Sequence, residues 1–233
     1  MKVSISRIPF FLLGISLIFV WNCGCPENDG SSPKPPPETV NVGNTPDPGI
    51  NQATAPSQIP QVKIETTMGD IVVELYPEAA PLTVKNFLRY VDEGFYEGTI
   101  FHRVIADQMI QGGGIEVDLS VKSPHEAVPY EADNGLSNTR GTLAMARNVH
   151  QPDSATSMFF INKRDSGYVL DHGHPPIPDE PGIDEYGYTV FGRVLEGMDV
   201  VDRINESPTT DAGTIFTFLP IVPVVITKVS VLN

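Results

Sequence analysis

Three consecutive glycines, Gly112 to Gly114, end a run that reads Phe101-His-Arg-Val-Ile-Ala-Asp-Gln-Met-Ile-Gln-Gly-Gly-Gly. A glycine triplet is poor strand or helix material, because it packs no side chain and loses the most backbone entropy on ordering. Its presence here implies that backbone must pass close to something, either another strand or a bound peptide. Just upstream, a strand ending at Arg103, a turn, and a second strand leaving through Gln111 would bring a cation and an amide together. A surface arginine beside a flexible loop is the alternative that these residues alone leave open.

The rest of the folded region is read as short strands with few helices. Val62 and Ile64 alternate with polar residues, Met68-Gly69-Asp70 makes a turn, and Ile71 to Tyr76 returns as the second arm of a hairpin. Pro81 suits a helix's first turn. Val84, Phe87, Leu88 and Val91 then form one apolar stripe, which Gly94 stops. Further strands are expected around 99–104, 108–112, 141–146, 157–162, 188–195 and 222–231, with a second helix over Gly197 to Asn205. Such a pattern implies a barrel or a sandwich. The apolar content of 40% can fill its core, and the net charge of −14 argues against nucleic acid as a partner.

The N-terminus is a separate object. Lys2 and Arg7 precede an apolar run from Ile8 to Trp21, short for a membrane span and suited to an export signal. Cys23 and Cys25, the only two cysteines, follow at once. A cysteine just after such a run looks like a bacterial lipoprotein acceptor. An ordinary cleaved signal, an uncleaved anchor and a Cys-Gly-Cys redox pair are the other readings. Residues 1–25 are therefore assigned to a signal peptide with lipoprotein-like cysteines. Residues 26–60, rich in Pro, Gly, Asn, Ser and Thr, read as a disordered proline-rich tether that buries too little apolar surface to offset its ordering entropy. Residues 61–233 are the folded domain.

Two further runs join the first: Asn134-Gly-Leu-Ser-Asn-Thr-Arg-Gly-Thr-Leu-Ala-Met-Ala-Arg147 and Ser154-Ala-Thr-Ser-Met-Phe-Phe-Ile-Asn162. In this order and spacing the three resemble the cyclophilin family of peptidyl-prolyl cis-trans isomerases, in its bacterial form. The resemblance implies a mainly β fold, a closed eight-stranded antiparallel barrel capped by two helices. It also implies catalysis of rotation about X-Pro bonds, with no cofactor and no metal.

That chemistry needs little. Rotating a peptide bond costs about 18–20 kcal/mol, because resonance gives its C–N bond double-bond character. In the twisted state the prolyl nitrogen turns pyramidal and its lone pair can accept a hydrogen bond. A donor aimed there helps the transition state more than the ground state. By resemblance Arg103 is that donor and Gln111 grips the substrate backbone, the two catalytic positions. Phe101, Gln108, Met109, Met158, Phe160, Val169, Leu170 and Tyr188 are carried over as substrate-binding positions. Of these, Met109, Phe160 and Leu170 would line the proline pocket. The backbone at Met145, Ala146 and Arg147 would pair with substrate as an added strand. His102 is read as a core histidine supporting the strand.

Some positions depart from the family pattern. Gln108 stands where a phenylalanine forms one pocket wall, Met158 where a glutamine precedes the two phenylalanines, and Val169 where many members carry an aromatic. Tyr188 replaces a histidine, as in many bacterial relatives. These changes bear on turnover rather than on fold. A low-turnover peptide-binding or chaperone module, or a structural envelope protein, are the competing readings.

The loop from Asp171 to Gly187 is longer than the usual family connection. His172, His174, Asp179, Glu180, Asp184 and Glu185 could meet a metal there. The spacing matches no defined structural site, and a solvated acidic loop stiffened by four prolines is the reading adopted. The expected partners are proline-containing polypeptides and, through a lipid on Cys23 or Cys25, a membrane. A monomer is expected, in the cell envelope outside the cytoplasm, on the periplasmic side where two membranes exist.

Overall fold

The structure, a computed structural model, describes residues 59–175, 183–213 and 216–232. The expected signal peptide, both cysteines and all but the last two tether residues lie outside these.

Strands β1 (Gln61–Thr66) and β2 (Gly69–Leu75) form the expected hairpin. Their inward residues Val62, Ile64, Ile71, Val73 and Leu75 are fully buried, as period-2 alternation requires. Helix α1 (Pro81–Asp92) follows, with proline in its first turn. Its N-terminal N–H groups are capped from far along the chain: the Glu131 carboxylate accepts from the backbone of Leu82 and Thr83 and from the Thr83 hydroxyl. Val84, Phe87 and Val91 are buried and Leu88 partly so, which is the predicted stripe. Gly94, at φ 65°, ends the helix.

The remaining strands are β3 (Arg103–Ile105), β4 (Met109–Gly112), β5 (Thr142–Met145), β6 (Phe159–Asn162), β7 (Val190–Glu196), a small pair β8 (Thr209–Thr210) and β9 (Leu219–Pro220), and β10 (Ile226–Leu232). A four-residue helix α2 (Gly167–Leu170) lies between β6 and β7, and α3 (Met198–Asn205) follows β7. The main sheet is antiparallel in the order β10-β1-β2-β7-β5-β6-β4-β3.

The closed barrel expected above is corrected to an open, curled eight-stranded sheet. Its outer strands, β10 and β3, share no ladder. The physical reason is that β3 has only three residues. The chain before it makes single bridges instead, Thr99 to Glu116 and Ile100 to Val225.

The glycine triplet meets the condition its sequence set. A Cβ on Gly113 would lie 3.0 Å from the Phe159 ring and from the Ser157 carbonyl oxygen, and φ there is +93°. The object that the backbone passes is thus the β6 side of the sheet.

Candidate active site

β3 and β4 pair so that Arg103 faces Gln111, Val104 faces Ile110 and Ile105 faces Met109. The row continues across the sheet: Gln111 opposes Phe160, Phe160 opposes Ala144, and Ala144 opposes Val190. Alternation then divides the sheet's two faces. Val104, Ile110, Leu143 and Ile161 go to the main core, while Met109, Phe160, Ala144 and Val190 form a second apolar cluster on the other face. Partly buried Ile105, Leu136, Ala146, Leu170 and Tyr188 pack against that second cluster. Arg103 and Gln111 therefore stand at the edge of an apolar patch.

The Arg103 guanidinium is half-buried, and its Nη1 donates to Gln111 Oε1 at 3.3 Å. Among the described residues no carboxylate pairs with it. Burial pushes its pKa below the ordinary value, with the Tyr188 phenol acting in the opposite direction. It stays charged at any working pH. The result is a cation with spare donors beside a hydrophobic surface.

The hairpin that carries this pair is pinned from α3. The buried Asn205 accepts from the Asp107 N–H at 2.8 Å and donates to the carbonyls of Ile105 (2.8 Å) and Met109 (3.1 Å). Asp107 takes the left-handed conformation that the three-residue turn demands, at φ 57°. A second buried amide, Asn138, donates to the carbonyls of Leu170 and Tyr188 and to the Asp171 carboxylate. It thereby fixes two segments of the pocket wall. Asn205 was not singled out in the sequence, and Asn138 only as part of a longer run. Neither leaves a periodic signal, because their partners are distant in the chain.

The other predicted positions divide. Met109, Phe160, Leu170 and Tyr188 converge on the patch, with the Tyr188 ring edge-on to Phe160 at 5.4 Å. Ala146 joins them. Gln108 is exposed on the hairpin turn, and Met158 and Val169 are partly buried. Phe101 and Met145 do not reach the patch: both are buried in the main core, at 0% and 1% exposure. For Phe101 this leaves a supporting place behind the site, and for Met145 the expectation concerns its backbone rather than its side chain. The N–H groups of Met145 and Ala146 are already taken by the carbonyls of Thr189 and Met158. Arg147 turns its side chain into a buried pair with Asp184.

His102 is buried as expected. Its Nδ1 has no hydrogen-bond partner among the described residues, and its pKa is lowered to about 4, chiefly by burial and in part by Arg103, against the Ile100 carbonyl. His172 meets the Tyr130 hydroxyl through Nδ1 at 2.5 Å. Asp179 and Glu180 lie outside the described residues. A cleft of about 990 Å³ runs along α1, lined by Leu82, Lys85, Arg89 and His125 among others, and contains none of the patch residues.

Comparison with known proteins agrees with this geometry. Residues 61–231 match the family model described as cyclophilin type peptidyl-prolyl cis-trans isomerase/CLD. The chain belongs to that family, and it is an enzyme of the peptidyl-prolyl cis-trans isomerase class. It is 43% identical over 184 residues to peptidyl-prolyl cis-trans isomerase A of Dickeya dadantii, covering 79% of this chain and 90% of that one. It is 49% identical over 152 residues to peptidyl-prolyl cis-trans isomerase B of Escherichia coli, covering 65% and 88%. Among solved structures, a cyclophilin type isomerase of Cryptosporidium parvum superposes with a TM-score of 0.58 at 25% identity, covering 75% of this chain and 98% of that one.

Proposed function

We propose that this cyclophilin works in the cell envelope, isomerising X-Pro bonds of exported polypeptides and so assisting their folding. The observation that carries the catalytic reading is the Arg103–Gln111 pair, a half-buried guanidinium with one protein hydrogen bond among the described residues, at the rim of an apolar patch.

In this reading the proline ring rests on Phe160, Met109 and Leu170. Gln111 holds the substrate backbone and orients Arg103. As the X-Pro bond twists, the prolyl nitrogen becomes basic, and a guanidinium N–H donates to it. The donor is already positioned and partly desolvated, so little reorganisation opposes the hydrogen bond as it forms. No proton is transferred and no covalent bond is made. Substrate backbone would pair as an added strand from Arg147 onward, beyond the N–H groups that the fold already uses.

The envelope location rests on sequence alone: the apolar run Ile8 to Trp21, followed by Cys23 and Cys25. The mature chain is a monomer tethered by an acylated cysteine, with residues 26–60 as spacer. Two acyl chains suffice for stable attachment where one does not. Mass spectrometry of the membrane fraction should find a diacylated or triacylated cysteine as the first residue. A soluble product with both thiols free overturns the anchor.

A second reading, a peptide-binding module of low turnover, is favoured by one observation. Gln108, where the family places an aromatic wall, is exposed on the hairpin turn. A protease-coupled assay of the full chain on an Ala-Pro peptide separates the two. Turnover with kcat/KM of about 10⁴ M⁻¹s⁻¹ or more supports the enzyme. Saturable binding without rate enhancement supports the module.

A further inference from the structure

Arg147 and Asp184 form the most completely buried ion pair among the described residues, their side chains 3% and 0% exposed. Arg147 Nη1 donates to Asp184 Oδ2 at 3.0 Å, and Nη2 donates to Oδ1. Two further donors are also used: Nε reaches the Gly187 carbonyl at 2.7 Å and Nη1 the Asn148 carbonyl at 3.0 Å. Asp184 accepts in addition from the backbone N–H groups of His150 (2.7 Å) and Tyr186 (3.1 Å). The guanidinium carbon lies 4.7 Å from the Tyr188 ring centre, and that ring packs edge-on against Phe160.

Taking two charges out of water is expensive, and an apolar pair of similar volume often serves stability as well. What this pair supplies is geometry. A bidentate guanidinium has one orientation relative to its carboxylate, and here the same cation lies over the Tyr188 ring. Between Asp184 and Tyr188 the chain has little slack. Gly187 adopts φ +67°, and a Cβ there would strike the Asp171 and His172 backbone.

We propose that Arg147 and Asp184 are positioning residues of the proline pocket, a latch that ties the 183–187 segment to the end of β5 and holds Tyr188 as a wall against Phe160. The latch rests on the patch being the proline-binding surface. Breaking it loosens the wall without touching Arg103, so substrate binding falls while the chemical step is kept. The carboxylate is suited to staying ionised in this setting. Burial alone would raise its pKa, yet hydrogen bonds from Arg147 and from the His150 and Tyr186 backbone, with the Arg147 charge, hold it below the ordinary value.

The test uses the full chain and an Ala-Pro peptide, with Kd from NMR titration and the bound-state exchange rate from the same spectra. Asp184→Asn should raise Kd about five- to tenfold, a loss of about 1–1.4 kcal/mol, with the bound exchange rate within about twofold of wild type. In a Tyr188→Ala background the same substitution should change Kd no further, because the wall that the latch holds is gone. Arg147→Lys keeps the buried charge but loses the fork and the guanidinium contact over the Tyr188 ring. It should move Kd the same way, and it carries the test if Asp184→Asn does not fold. Unchanged Kd in a folded variant, or effects that add in the Tyr188→Ala background, overturn the latch. Absence of exchange catalysis by the wild type would overturn the isomerase reading instead, and the Kd comparison would still decide the latch.

Discussion

Arg103 and Gln111 are direct cross-strand partners on the β3–β4 hairpin, and the amide oxygen of one holds the guanidinium of the other at 3.3 Å. Eight residues of sequence separation, a three-residue turn and period-2 alternation are enough to produce this. Both side chains leave the same face of the sheet, and the apolar row of Phe160, Ala144 and Val190 continues from them. The fold therefore delivers a cation and an amide at the edge of an apolar surface from two short strands.

Asn205 should matter more than its place on α3 suggests. It makes three hydrogen bonds to the hairpin backbone, and Asn205→Ala takes this partner from the Asp107 N–H and the buried Met109 carbonyl, while the Ile105 carbonyl keeps the Gln108 N–H. At about 1–3 kcal/mol for each such group, less what water recovers, the expected loss of stability is about 2–4 kcal/mol. Chemical denaturation should show a lower midpoint with an unchanged slope. A loss under about 0.5 kcal/mol, the range of an ordinary surface substitution, contradicts the pinning role.

His102 should make the domain acid-sensitive. Its imidazole takes a proton only near pH 4 when folded, because of burial, but near 6.5 when unfolded. Between those values the unfolded state binds more protons, so stability falls as pH is lowered from about 6.5 to about 4. The contribution at the lower end is about 3 kcal/mol. His102→Gln cannot titrate. The difference in unfolding free energy between pH 7 and pH 4.5 should therefore be smaller in this variant by about 2–3 kcal/mol. Equal pH dependence in the two proteins contradicts the assignment.

The sequence reveals the pair, the α1 stripe and the hairpin because each rests on local spacing. Other features were not legible for physical reasons. Arg103 stands on the patch face of the sheet, and Phe101, two residues earlier, would share its face in a continuous strand. Strand β3 begins only at Arg103, so the alternation does not reach back to Phe101, which drops into the core. Met145 follows Ala144, which belongs to the patch, and so falls on the other face. The short β3 also leaves the sheet open. The polar contacts of Asn138, Asn205 and Asp184 join residues far apart in the chain, and a single sequence carries no trace of them.

Gln108 is exposed on the hairpin turn, so enlarging it meets little resistance from packing. A phenylalanine would offer apolar area to the proline ring where an amide now stays hydrated. Fully burying a large apolar side chain is worth about 1.5–3 kcal/mol, and only part of this wall meets the substrate. Gln108→Phe should therefore raise kcat/KM on an Ala-Pro peptide by about fivefold, or about 1 kcal/mol. A lower rate in a stably folded variant would mean that the amide makes a productive contact.

The central claim is that the Arg103 guanidinium stabilises the twisted X-Pro bond. Its most direct measurement is kcat/KM of Arg103→Ala beside the thermal midpoint of the same protein. A positioned donor of this kind is worth about 2–4 kcal/mol in the transition state, so the rate should fall about 30- to 1000-fold. Arg103 has no carboxylate partner among the described residues, so the midpoint should stay within a few degrees of wild type. A near-normal rate in the folded variant would contradict the account.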